Sequence, residues 1–325
     1  MPNSFTPYET RSAVLFVIFN RPDTTEKVFE QIRAAKPPRL YVAADAPRTD
    51  SPGEDELCRE TKQIVSKVDW PCEVKTFFRK KNVGCKENVS SAITWFFSHE
   101  EEGIILEDDC LPASSFFRFC DEMLEKYRND TRIRHITGCN LQHGKKWGEG
   151  SYYFANRTHV WGWAGWRRVW KDYDKNLSRY SKSEVHDQLN NIFDDPLVVT
   201  CWEEIFEQVK AGEINAWGYQ LDFANFFNNG LTIIPNENLI SNIGFGGNAT
   251  NTMDSNNPHA NIPLAEIEEI THPVYILPQK QADLITLNTD FKLDEKRRQN
   301  LPRKRLKRWA RSMMKQAAAY LYLLT

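Results

Sequence analysis

The chain has 325 residues, 41% of them hydrophobic and 26% charged, with a formal net charge of -2. Those figures exclude a disordered chain and allow one large domain or two interleaved subdomains. Positive charge is concentrated at 296–315, so nucleic-acid binding by the main body is not expected.

In chain order, the first element is AVLFVIF at 13–19, an apolar run that reads as a strand buried on both faces. Asn20-Arg21-Pro22 stops it, and the acid and threonines that follow open a helix that Pro37-Pro38 ends. LYVAA at 40–44 is the next strand and ends at Asp45; a polar loop leads to a helix over 56–67. A strand at 72–78, a helix at 86–99 and the short strand GIIL at 103–106 follow, the last running straight into Glu107-Asp108-Asp109. This alternation predicts an α/β fold with a parallel, doubly wound sheet. Ligands bind beyond the carboxyl ends of strands in such sheets, where Arg21, Asp45 and the acidic triplet all fall.

The second half is less regular and rich in aromatics, with Trp161, Trp163, Trp166 and Trp170 close together. It is expected to continue the same domain, with Trp166 and Trp170 in the core. From Asp294 the pattern becomes a basic amphipathic helix ending in AAAYLYLL at 317–324.

Seven cysteines (58, 72, 85, 110, 120, 139 and 201) form no CxxC pair, so neither a zinc ribbon nor a disulfide framework is expected and a reducing compartment fits. The first residues lack a secretory pattern and no long apolar run occurs, which gives the expectation of a cytoplasmic protein without a membrane span.

Three successive carboxylates after an apolar strand repel one another and raise each other's pKa unless positive charge sits among them. Oxygen-only ligands suit a hard cation, Mg²⁺ or Mn²⁺, held by one or two carboxylates and substrate phosphates. The alternative is a solvated acidic turn.

GIILEDDCLPASSFFRFCDEML at 103–124 resembles the metal-binding segment of GT-A glycosyltransferases. It is most similar to the eukaryotic N-acetylglucosaminyltransferase that starts complex N-glycans and to bacterial nucleotide-diphospho-sugar transferases. The likeness extends to VLFVIFNRPD (14–23), YVAADAPR (41–48), NVGCKENVSSAITWFF (82–97), VWGWAGWRRVW (160–170) and 216–252. It implies a GT-A, Rossmann-like, mostly parallel sheet over 1–290. The nucleotide-binding half would be about 13–110, the acceptor half about 111–290, and a basic tail would occupy 291–325. It also implies Asp109 as the metal ligand, Asp108 and Glu107 facing the ribose and the donor sugar, and Arg21, Asp45, Lys86 and Asn88 at the nucleotide. Trp161, Gly162, Trp163 and Trp217 would wall the donor sugar.

Each residue has a plainer reading. Arg21 could finish a strand, Asp45 serve an Asx turn, Lys86 sit on a solvated helix face, and the tryptophans fill the core. In the related sequences an acid follows the tryptophan matching Trp217, but here that place is Gly218. Asp222, one helical turn on, is the expected general base, with a helix-surface acid as its alternative. Asn251 stands where a histidine is common in the family. NLISNIGFGG at 238–247 suits a loop that closes over donor.

The expected activity is metal-dependent transfer of a hexosyl or N-acetylhexosaminyl group, with inversion, from a nucleotide-diphosphate sugar, UDP-sugars favoured. The acceptor would be a saccharide or lipid-linked, in surface polysaccharide synthesis. The basic stretch 296–324 adds peripheral contact with the inner face of the plasma membrane as an expectation, with a solvated or oligomerising tail as the alternative. A non-catalytic sugar-nucleotide or glycan-binding protein of the same fold is the alternative. A nucleotidyltransferase would want a Gly-rich basic loop after the first strand, which FNRPDTT lacks.

Overall fold

The computed structural model describes residues 8–245 and 257–300. Its first half alternates strictly: β1 (Val14–Ile18), α1 (Pro22–Ala35), β2 (Arg39–Ala44), α2 (Glu54–Val65), β3 (Glu73–Phe78), α3 (Cys85–His99) and β4 (Glu102–Glu107). Then come β5 (Cys110–Pro112), α4 (Ser114–Tyr127), β6 (Ile133–Thr137), β7 (Tyr152–Ala155), β8 (Trp163–Trp166), α5 (Arg167–Trp170), α6 (Lys182–Ile192), α7 (Pro196–Lys210) and α8 (Tyr219–Phe226). The described chain finishes with β9 (Leu231–Pro235), β10 (Ile240–Asn242), α9 (Lys280–Phe291) and α10 (Leu293–Asn300).

Eight strands form one sheet in the order β3-β2-β1-β4-β8-β6-β9-β7, and β10 pairs with β5 separately. The expectation of a mostly parallel sheet needs correction to a mixed one. β1 to β4 are mutually parallel, but β8 runs antiparallel to both β4 and β6, and β7 is antiparallel to β9. Parallel pairing needs a long crossover, usually helical. The segments joining β6, β7 and β8 contain no helix.

β1 is apolar throughout because both of its faces are covered. Val14, Phe16 and Ile18 point into a core shared with α1 and α4, while Leu15 and Val17 face α3, Tyr41 and Trp163. Pro22 starts α1 at a position where its missing N–H costs nothing. Trp166 and Trp170 are buried, as read from the sequence. A third, helical core gathers Trp202, Phe206, Phe223, Phe226, Leu287 and Leu293 from α7 to α10. Residues 301–325, which carry most of the basic tail, lie outside the described residues; the described start of the tail is helical.

The entry into β1 is clamped by one buried acid on α4. Asp121 accepts from Tyr8 Oη (2.8 Å), Thr10 Oγ1 (3.0 Å), Arg11 N (2.8 Å) and Ser12 N (3.1 Å). Removing it strands one buried donor, Thr10 Oγ1, and three part-buried ones; a buried donor left unsatisfied costs about 1–3 kcal/mol. Asp121→Ala is therefore expected to lower unfolding stability by roughly 3 kcal/mol or more in urea titration. An unchanged midpoint would show that the clamp is dispensable.

Candidate functional site

The parallel register of β2, β1 and β4 brings their carboxyl ends side by side, with Val17 opposite both Ala43 and Glu107. Arg21 follows β1, Asp45 follows β2, and the triplet ends and follows β4. Arg21 turns onto the triplet. Its Nη1 lies 2.6 Å from Asp109 Oδ2 and 3.7 Å from Asp108 Oδ1, with the Arg21 and Asp109 side chains only 16% and 15% exposed. Asp108 also accepts from Phe19 N at 3.0 Å.

One guanidinium does not neutralise three carboxylates. Burial, then repulsion from Asp109 and Asp108, pushes the Glu107 carboxyl up to about 8; Arg21 and a hydrogen bond from Trp217 oppose the rise. Burial likewise pushes Asp108 up to about 7 although Arg21 pulls it down. Burial works against the Arg21 charge, but Asp108, Asp109 and Glu107 outweigh it and hold its pKa above the usual value.

A roof crosses this cluster. β10 pairs with β5, which begins one residue after Asp109, and Asn242 is opposite Cys110. The next residue donates Ile243 N to Asp109 O at 2.9 Å. Gly244 then passes so close that an added Cβ would lie 2.3 Å from Asp109 Oδ2 and 2.6 Å from Arg21 Nη1. Only glycine fits there without displacing the pair. Phe245 follows, edge-on to Trp161 with ring centroids 5.6 Å apart. Gly244 was not singled out in the sequence, although it is the first glycine of the NIGFGG stretch. Gly246, Gly247 and Asn251 lie outside the described residues.

The other expected site residues divide. Trp217 reaches the triplet through Glu107 and stacks on Trp163 at 6.1 Å, which stacks on His135 at 5.0 Å. Trp163 itself is a buried core residue of β8, only 3% exposed. Gly162 is likewise a packing glycine: at φ +56° it lets the chain pass Ile240, whose Cδ1 an added Cβ would meet at 2.3 Å.

Asp45 is buried and accepts through both oxygens. Its oxygens accept from Ala46 N (2.9 Å), Val83 N (3.1 Å) and Gly84 N (2.9 Å), so it secures the loop that opens α3. On α3, burial and then Lys175 lower the Lys86 pKa. Asn88 is buried, and its Oδ1 has no hydrogen-bond partner among the described residues.

Asp222 lies on α8 as expected, but it is no helix-surface acid. One oxygen pairs with Arg157 Nη1 at 2.8 Å; the other accepts from Thr158 N at 3.0 Å and Thr158 Oγ1 at 2.7 Å. Burial raises its pKa, opposed by Arg157 and Thr158. Arg157 continues to Asp290 at 3.0 Å, which meets His259 Nε2 at 3.1 Å. A carboxylate held this way serves the fold, and the plainer expectation of a helix-surface acid is corrected to a buried, ion-paired one. The His259–Asp290 pair went unnoticed in the sequence because the two are far apart in the chain and no motif joins them.

Among the described residues, no group of three or more His, Cys, Asp and Glu is arranged to hold a metal alone, and no helix is long and apolar enough to cross a membrane. No family model matches the chain, and no curated protein matches it. Among solved structures, a UDP-glucose pyrophosphorylase complexed with UDP-glucose is similar over 69% of this chain and 90% of its own, at 10% identity and TM-score 0.38. HddC from Yersinia pseudotuberculosis is similar over 52% of this chain and 87% of its own, at 8% identity and TM-score 0.32. Overlaps this loose carry no argument about fold or activity.

Two outcomes follow from the charge imbalance. Arg21→Gln leaves the buried acids uncompensated and is expected to cost about 3 kcal/mol, of which Asp109→Asn in the same chain restores more than half. Equal stability of the single and double variants in denaturant titration would separate the two residues energetically. The second outcome concerns pH. Between the ordinary glutamate value and about 8, the folded chain keeps a Glu107 proton that the unfolded chain has released. Stability is therefore lost as pH rises through that window. Glu107→Gln should lose less stability than the unaltered protein between about pH 5 and about pH 8.

Proposed function

We propose that this carboxyl edge binds a nucleotide-diphosphate sugar and that the protein is a metal-dependent glycosyltransferase of the GT-A type. It would move a hexosyl or N-acetylhexosaminyl group to a saccharide or lipid-linked acceptor in surface polysaccharide synthesis. The observation that carries this is the excess of buried negative charge at the end of β4, faced among the described residues by a single guanidinium, that of Arg21.

The donor set fits a hard cation. It is all oxygen, Asp109 is reachable, and Gly244 leaves open the space a side chain would fill. Magnesium or manganese bound by one carboxylate and two phosphates needs no protein-only cage. When bound, such an ion neutralises charge on the departing diphosphate.

The chain's own residues do the rest in this reading. Asp108, oriented by Phe19 N, faces the ribose; Glu107, oriented by Trp217, faces the donor sugar. Arg21, resting on Asp109, is placed to turn to a phosphate, and Lys86 and Asn88 border the nucleotide from the first turn of α3. Trp161 and Phe245 bound the sugar side. Inversion is retained from the family likeness, and Asp222 would serve as general base only by releasing Arg157.

A second reading, a sugar-nucleotide-binding protein without turnover, is favoured by one observation. The position after Trp217 is a glycine and the nearby Asp222 is locked to Arg157.

Calorimetry with Mn²⁺ and a panel of nucleotide sugars, UDP-sugars first, tests the shared core of both readings. Binding is expected only with metal, weakened on the order of a hundredfold or more by Asp109→Asn. Binding that ignores both the metal and the substitution would falsify the site. Diphosphate release with saccharide acceptors then supports transfer, whereas metal-dependent binding without release supports the binding protein.

A further inference from the structure

Arg21 is held more loosely than the arginines that brace the fold around Glu100 and Asp222. Its link to the triplet is one hydrogen bond, Nη1 to Asp109 Oδ2 at 2.6 Å, and the same nitrogen faces Asp108 Oδ1 at 3.7 Å. Arg39, by contrast, holds Glu100 through Nε and Nη2 at 2.6 and 2.9 Å. Arg157 divides Nη1 and Nη2 between Asp222 and Asp290 at 2.8 and 3.0 Å. Contacts that use the whole fork are the strong ones, so a one-nitrogen contact is the more easily exchanged.

The backbone beneath Arg21 is fixed while its side chain is not. Arg21 O accepts from Thr25 N at 3.0 Å, which closes the first turn of α1, and Pro22 follows directly. Above the guanidinium the chain crosses as Gly244, whose added Cβ would lie 2.6 Å from Nη1, so no side chain at that position pins it from the roof. Movement is confined to a long, rotatable side chain whose base stays beside β4.

Asp109 is also the carboxylate that the metal reading assigns to the cation. A divalent ion on that group and a guanidinium 2.6 Å from its Oδ2 repel each other strongly, because the Arg21 and Asp109 side chains are only 16% and 15% exposed. A diphosphate reverses the balance. Its oxygens offer Arg21 an anionic acceptor to replace the one given up, in a geometry that suits the planar fork better than a single contact does. The charge of Arg21 thus opposes a cation that comes alone and favours one that comes with phosphates.

We propose that Arg21 is an exchangeable counter-ion: it guards Asp109 against free divalent cations and leaves it for the phosphates of a nucleotide diphosphate, so that metal and nucleotide bind as a coupled pair. This exchange rests on the reading of the β4 edge as a metal and nucleotide site, and adds the regulation of that site. By linkage, each ligand raises the affinity of the other by the same factor, and Arg21 supplies part of it.

Two affinities of the full chain decide this: Mn²⁺ alone, from the electron paramagnetic resonance signal of the free ion, and UDP at saturating Mn²⁺, by calorimetry. Arg21→Gln is expected to move them in opposite directions. Mn²⁺ alone binds on the order of tenfold more tightly, and UDP on the order of tenfold more weakly. Should the glutamine chain fail to fold by circular dichroism, Arg21→Lys decides, since it keeps the charge without the fork. Its hold on Mn²⁺ alone stays as in the unaltered chain, and UDP binds several-fold more weakly. The exchange is overturned if Arg21→Gln leaves the Mn²⁺ affinity unchanged or lowers it, or if UDP binds either variant as tightly as the unaltered chain. UDP that fails to bind the unaltered chain at any Mn²⁺ concentration removes the site itself, and the exchange with it.

Discussion

Three carboxylates at the end of a buried strand set the terms for everything around them. The apolar run before the triplet belongs to a central strand covered on both sides, so the acids emerge where water is scarce. Arg21 answers part of that repulsion across the seam between β1 and β4, and Trp217 answers another part at Glu107. The remainder is unmet, and the Glu107 and Asp108 protons are correspondingly hard to remove. Structural acids elsewhere in the molecule are treated differently: Asp121, Asp45 and Asp222 each have donors for both oxygens. The contrast between satisfied and unsatisfied acids sets the end of β4 apart from the rest of the molecule and supports the ligand site proposed there.

Much of this edge was legible in the sequence because it depends on local pattern. A central strand declares itself by a continuous apolar run, as 13–19 and 103–106 do, and the residue after such a run is at a sheet edge whatever its type. Arg21 and Asp109 were therefore readable as neighbours in advance. Strand direction in the second half was not, because whether β8 runs with or against β4 depends on connections whose sequence has no periodic signal. The fates of Asp45, Trp163 and Asp222 were also hidden. A carboxylate that receives backbone N–H groups and one that faces a ligand look the same in one dimension, and only Val83, Gly84 and Thr158 coming close decide between them.

The glycines divide along the same line. Gly244 and Gly162 serve opposite ends of one roof: the first lets the chain cross Asp109 and Arg21, and the second lets β10 settle against the β8 entry through Ile240. Glycine in a sequence signals close approach or special backbone, but not what is approached. Here the partner is a charged pair in one case and an isoleucine in the other.

The ion-paired chain from Asp222 through Arg157 to Asp290 and His259 has a consequence for where the molecule can be cut. Asp290 is in the last turn of α9, far along the sequence, yet it holds a guanidinium that is buried between β7 and α8. Leu293, just beyond, is wholly enclosed by the helical core. A polypeptide trimmed ahead of α9 would leave Arg157 with one partner where it had two and open a hole beside Trp202. The late helices are thus the keystone of the second half, and the smallest self-sufficient fragment has to retain them.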